Sequence, residues 1–75
     1  MKYVAKIKDF YSMSAYGYGE ADHEAVSAAV KNFADLWEGE APDPDALLTV
    51  YTETGDGSVD VRYTMPYRCY LLETK

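Results

Sequence analysis

His23 and Cys69 are the one histidine and the one cysteine of this 75-residue chain, and so its first candidates for base or nucleophile chemistry. A working nucleophile needs a base within hydrogen-bond reach and a third group to orient that base. Nothing in the sequence pairs these two residues. No cationic cluster or helix start stands beside Cys69 to make its thiol reactive. The expectation is an exposed first-turn histidine and a cysteine that fills a strand. One His and one Cys are also too few for a structural zinc site. Asp43-Pro44-Asp45 with Glu38 and Glu40 offers oxygens to a hard cation, but without the ordered spacing and central glycine of a calcium loop. Tyr16-Gly17-Tyr18-Gly19 has neither the glycine spacing nor the lysine of a phosphate loop. Paired carboxylates of glycosidase type need a cleft, and a domain this small buries only about 60% of its unfolded surface. The sequence therefore reads as non-enzymatic, with no catalytic residue, metal or cofactor.

Binding chemistry is better represented. The net charge is −6, and it is unevenly spread. Between Glu20 and Asp60 eleven acids face the single base Lys31, a segment charge of −10, while the remainder carries +4. An acidic body repels nucleic acid and attracts basic protein surfaces, which nucleic-acid enzymes commonly carry. Eight tyrosines exceed what a thin core absorbs, since each hydroxyl wants a partner or water. Tyrosine is a frequent anchor at protein interfaces. Together these features mark Tyr16, Tyr18, Glu20, Asp22, Glu24, Asp35, Glu38, Glu40, Asp43 and Asp45 as the candidate protein-binding residues.

The elements that position them follow from periodicity. Lys2 to Lys8 alternates, with Tyr3, Ala5 and Ile7 on one side and Val4, Lys6 and Lys8 on the other, as a half-buried strand does. Asp9-Phe10 turns or bulges it, and Tyr11, Met13 and Ala15 resume the alternation in a hairpin or one bent strand. The glycines of Tyr16–Gly19 are expected to break regularity. Asp22 is placed to N-cap a helix over roughly 22–38, with Glu24 suited to its positive end. Val26, Ala29, Val30, Phe33, Leu36 and Trp37 form the apolar stripe of that helix, which puts Trp37 in the core. Gly39 is the expected C′ residue, and Pro42 and Pro44 prevent resumption. Leu47 to Thr54 and Val59 to Met65 read as strands joined by Thr54-Gly55-Asp56-Gly57-Ser58. In the second strand Val59, Val61, Tyr63 and Met65 share a face. Beyond Pro66, Tyr67 to Thr74 alternates as a further edge strand.

The sum is an α+β two-layer sandwich over residues 1–75: one helix on an antiparallel sheet of three to five strands, β(β)αββ(β). The other face of the sheet is left to solvent or a partner, with Lys6, Lys8, Arg62 and several tyrosines on it. A lone cysteine, no signal-peptide h-region and no run of ~20 apolar residues point to the cytoplasm and away from a membrane. A compact, acidic strand–helix–strand–strand chain beginning Met1-Lys2-Tyr3-Val4 resembles small phage-encoded inhibitors of bacterial defence, notably anti-CRISPR proteins. That resemblance implies inhibition of a Cas effector by binding, in some members by mimicry of DNA. The first functional expectation is thus an acidic inhibitor that occupies the basic surface of a nucleic-acid-processing complex, with no direct contact to nucleic acid. The alternative is a structural or adaptor module that forms a homodimer through an edge strand and a tyrosine-rich sheet face. Single-stranded RNA stacked on sheet tyrosines beside Lys6, Lys8 and Arg62 is a third reading, opposed by the net charge.

Overall fold

The position of the first helix is set by a glycine. In the computed structural model, which describes residues 2–9, 13–36, 38–40 and 42–73, a Cβ built on Gly17 would lie 2.1 Å from the Ala29 backbone nitrogen. The same atom would lie 2.3 Å from the Ala25 carbonyl oxygen. No side chain fits there, so the backbone of the helix rests directly on the strand. Gly19 repeats the arrangement one residue pair along, against Glu24 and Ala25. Tyr16–Gly19 therefore does not break regularity: it lies within a strand whose glycines make room for the helix.

Six elements follow in order: β1 (Lys2–Lys8), β2 (Ser14–Gly19), α1 (Asp22–Leu36), β3 (Leu47–Glu53), β4 (Val59–Pro66) and α2 (Tyr67–Glu73). The strands form one antiparallel sheet in the order β2-β1-β3-β4. This is the expected α+β layout. β1 and β2 are a hairpin rather than one bent strand, closed by Asp9 N–H donating to the Met13 carbonyl and Met13 N–H to Asp9 Oδ1. Phe10 and Tyr11 lie outside the described residues. α1 packs on β2 and β1, and its buried residues are Ala25, Val26, Ala29 and Phe33. With Ala5, Ile7, Ala15, Ala46, Leu48 and Val50 they form the core. Small residues dominate because the two layers approach so closely. Leu36, expected on the apolar stripe, is 54% exposed, and Trp37 lies outside the described residues.

Both ends of α1 differ from expectation. Ala25 N–H donates to the Ala21 carbonyl, so Asp22 is the first helical residue rather than the N-cap. The end is tied by Glu24, whose Oε1 accepts from the Glu20 N–H at 3.2 Å. At the far end Gly39 N–H donates to the Ala34 carbonyl, the closing bond of a Schellman turn. The first left-handed residue there is Glu38, at φ 56°, followed by Gly39 at 92°.

The largest revision concerns residues 67–74, expected as an edge strand. Tyr67–Glu73 is a second helix, so the sandwich has two helices rather than one. Pro66 has no N–H and cannot extend the ladder. The Tyr67 and Arg68 amides instead donate to the carbonyls of Ala46 and Pro44. The i, i+3 spacing of Tyr67 and Tyr70 suits a helix as well as the alternation suited a strand, and Tyr70 packs against the core. Arg68 is ion-paired with Asp45. α2 thus lies on the same sheet face as α1. Thr74 lies outside the described residues.

A β-bulge completes the arrangement. Val50 pairs with Tyr63 but Tyr51 pairs with Val61, which leaves Arg62 without a partner in the ladder. Tyr63 and Met65 therefore face the helices, whereas Val59 and Val61 pair with Glu53 and Tyr51 on the opposite face, against the expectation that all four share a side. The β3–β4 loop is held by Asp56, whose Oδ1 accepts from the Thr54 hydroxyl and the Ser58 N–H. The Thr54 hydroxyl first, then the Ser58 bonds, hold the Asp56 carboxyl down at about 2.

Two substitutions test this packing. Gly17→Ala is expected to cost about 3 kcal/mol by forced separation of α1 from β2, lowering the thermal midpoint by roughly 12–24 °C. Gly55→Ala, with open space around it, should shift stability by under about 0.5 kcal/mol. Equal midpoints for the two variants would contradict the seating of α1. Glu38→Gly relieves the left-handed Cβ clash and is expected to stabilise the chain by roughly 0.5–1 kcal/mol in urea unfolding.

Candidate functional site

The register sets out the uncovered sheet face as a grid. One row runs Tyr18, Val4, Tyr51, Val61 across the four strands, and the next runs Tyr16, Lys6, Thr49, Thr64. Lys2 pairs with Glu53 at one end of β1, and Lys8 stands between Ser14 and Leu47 at the other. Val4 is 1% exposed despite lying on the open face, because the two tyrosines opposite it close over it. Tyr16 and Tyr18 stay 41% and 54% exposed. Lys2 Nζ lies 4.5 Å from the Tyr18 ring centroid and 3.8 Å from Glu53 Oε2; Lys6 Nζ lies 5.9 Å from the Tyr16 ring. Burial first, then the neighbouring Tyr16 and Tyr18, push the Tyr51 hydroxyl above its ordinary value. The three tyrosines are one cluster.

The acidic candidates lie elsewhere. Glu20, Asp22 and Glu24 gather at the start of α1, while Asp35 and the stretch from Glu38 to Asp45 stand toward its other end. Thirteen residue-to-residue steps of helix separate Asp22 from Asp35, roughly 20 Å at 1.5 Å per step. The ten sequence candidates are thus three groups: an acidic cluster at each end of α1, and Tyr16 with Tyr18 beneath the sheet. Glu20 touches two of them, since it lines a shallow open depression with Lys2, Tyr18 and Gly19. Several acids also have structural partners. Asp22 Oδ1 accepts from the His23 N–H and its Oδ2 from the Tyr63 hydroxyl at 3.3 Å. Asp43 Oδ1 accepts from the Asp45 N–H, and Asp45 pairs with Arg68. Asp35, Glu38 and Glu40 are exposed.

His23 is exposed in the first turn of α1, and half-buried Cys69 sits on α2, a helix where a strand was expected. Among the described residues no group of three or more His, Cys, Asp or Glu side chains is placed to hold a metal ion. No helix of the described residues is long and apolar enough to cross a membrane. The sequence reading underrated Tyr51 and Lys2, which the register brings beside Tyr18; their shared face was signalled only by strand alternation. Comparison with protein-family models, with curated proteins and with solved structures gave no match.

Burial, then the Asp22 carboxylate, push the Tyr63 hydroxyl far above its ordinary value, and burial raises Tyr67 and Tyr70 as well. A phenol held neutral in the folded chain stabilises it below the unfolded value of about 10, and that stabilisation is lost as pH rises through the folded value. Phenolate absorbance is expected to show a high-pH group of tyrosines that ionise only with unfolding. Tyr63→Phe should remove one member of that group. A titration in which all tyrosines ionise together near pH 10 without unfolding would contradict this account.

Proposed function

We propose that this chain is a non-enzymatic cytoplasmic binding protein that docks its acidic helix-side surface on the basic, nucleic-acid-binding surface of a protein complex and blocks it. A CRISPR–Cas effector is the target class suggested by the resemblance to anti-CRISPR proteins. The supporting observation is charge segregation. Glu24 and Asp35 on α1 and Glu38, Glu40 and Asp43 in the following loop are exposed, against Lys31 as the base of α1. Arg68, the nearby cation of α2, is already bound to Asp45. Carboxylates fixed on a helix and a proline-stiffened loop present charge without the entropy cost of long flexible tails. Association of this kind needs no catalytic group and is fast and salt-sensitive.

The homodimer alternative drew on an edge strand such as Tyr67–Thr74 and on a tyrosine-rich sheet face, and Tyr67–Glu73 is helical. The sheet edges are instead β2 and β4. On β2 the Asn32 side chain donates to the Tyr16 carbonyl at 2.6 Å; β4 carries the Arg62 bulge and ends at Pro66. Both features blunt an edge against pairing.

Asp35→Lys, Glu38→Lys and Glu40→Lys in one chain test the proposal while sparing the structural acids Asp43, Asp45 and Asp22. Affinity capture from nuclease-treated bacterial lysate is expected to recover a DNA- or RNA-processing complex at low salt, less at high salt, and none with the triple variant. Equal recovery by the triple variant, with unchanged circular dichroism, would sink the acidic-surface reading.

A further inference from the structure

The uncovered sheet face has the opposite character from the helix side. Lysines recur along the central strand β1 at alternate positions, about 6.8 Å apart from Lys6 to Lys8, with exposed tyrosines on the neighbouring strand. Arg62 is exposed at the bulge, next to Val61, which pairs with Tyr51. Among the described residues no ion pair engages Lys6, Lys8 or Arg62. Of the acids near this face, Glu53 and Glu20 lie at its Lys2 end, and Asp9 follows Lys8 in the hairpin turn at the other. Lys6 and Lys8 nonetheless stand on this face in a chain that as a whole carries −6.

We infer that this face binds single-stranded RNA, with bases stacked on Tyr16 and Tyr18 and phosphates held by Lys6, Lys8 and Arg62. Three observations support this beyond the bare exposure of the sheet. The two rings stand at alternate positions of one strand, opposite Lys6 and Val4, with ring surface exposed for a base to stack on. Lys6 and Lys8 are on the same face as the rings, within one or two strand positions, as a base and its phosphate require. Hydroxyls of Thr49 and Thr64, 3.5 Å apart and in the Lys6 row, offer donors and acceptors to a ribose 2′-hydroxyl. The net charge that weighs against nucleic acid in the sequence acts from the helix side, and a charge beyond a Debye length of about 8 Å is largely screened at physiological salt. This inference concerns a different surface from the acidic one and does not rest on it.

The test is fluorescence anisotropy of a labelled 12-nucleotide mixed-sequence RNA, titrated with the purified chain across a salt series. Saturable binding is expected, with a log–log salt slope near −2, as about three phosphate contacts at −0.7 each require. Tyr18→Ala and Tyr16→Ala should each weaken binding about tenfold or more, and Lys6→Gln should flatten the slope by roughly 0.7. Tyr18→Leu, which keeps an apolar side chain on the strand, guards against a folding defect and should weaken binding similarly. Asp35→Lys should leave the tyrosine dependence intact. Flat anisotropy at about 100 μM protein overturns the inference, as does wild-type affinity in the tyrosine variants. Equal affinity for a single-stranded DNA 12-mer of the same sequence overturns the assignment to RNA. Sedimentation as a dimer that Tyr18→Ala dissolves, with no RNA bound, assigns the face to a second copy instead.

Discussion

The contact between the α1 backbone and Gly17 governs the rest of the molecule. A side chain at that position would meet the Ala29 nitrogen and the Ala25 carbonyl, so the helix and β2 approach as closely as two backbones can. That closeness dictates alanine at positions 15, 25 and 29 and concentrates the bulk of the core in Ile7, Leu48, Val50 and Phe33. A thin, close-packed layer is how a chain of this size excludes water from its interior. It also sets α1 over β2 and β1, toward one side of the sheet. The β3–β4 side is completed by Tyr63 and Tyr70, which bring hydroxyls into a partly buried setting beside Asp22.

Placing both helices on one face has an electrostatic consequence. The acids follow α1 and its loops, while the alternation of β1 puts Lys2, Lys6 and Lys8 on the other side. The chain therefore presents two surfaces of opposite character separated by the thickness of a sheet and a helix. The β4 bulge sharpens the contrast. By slipping one residue at Arg62 it turns Tyr63 and Met65 into the core and leaves Val59 and Val61 exposed beside Tyr51. Without the slip, all four would share a side and the tyrosine cluster would lose its apolar border.

Much of the architecture was legible in the residues. Alternation fixed β1 and the face each of its residues takes, the 3.6-residue stripe located α1 to within two residues, and the glycine-rich stretch at 55–57 marked the β3–β4 loop. Alternation and helical spacing make conflicting claims on Tyr67–Glu73, where residues 67, 69 and 71 suit one and 67, 70 and 71 the other. That conflict is decided by carbonyls at Pro44 and Ala46, more than twenty residues away in sequence, which take the first amides of α2. Capping was misplaced by one residue at each end of α1, because its start is tied through Glu20 and Glu24 and its end turns at Glu38.

The candidate binding residues were identifiable as types but not as a surface. Composition alone showed that this chain is acidic, rich in tyrosine and holds one histidine and one cysteine, since those are sums that no fold alters. Period-two spacing showed that Tyr16 and Tyr18 share a side. Which side, and with which neighbours, depended on the pairing of β2 with β1 and of β1 with β3. Those bonds join residues between six and fifty-one positions apart, and local spacing carries no record of them. Only the tertiary structure parted the tyrosines from the acids, because the glycines between them, seemingly breaks in a strand, are where the helix comes to rest.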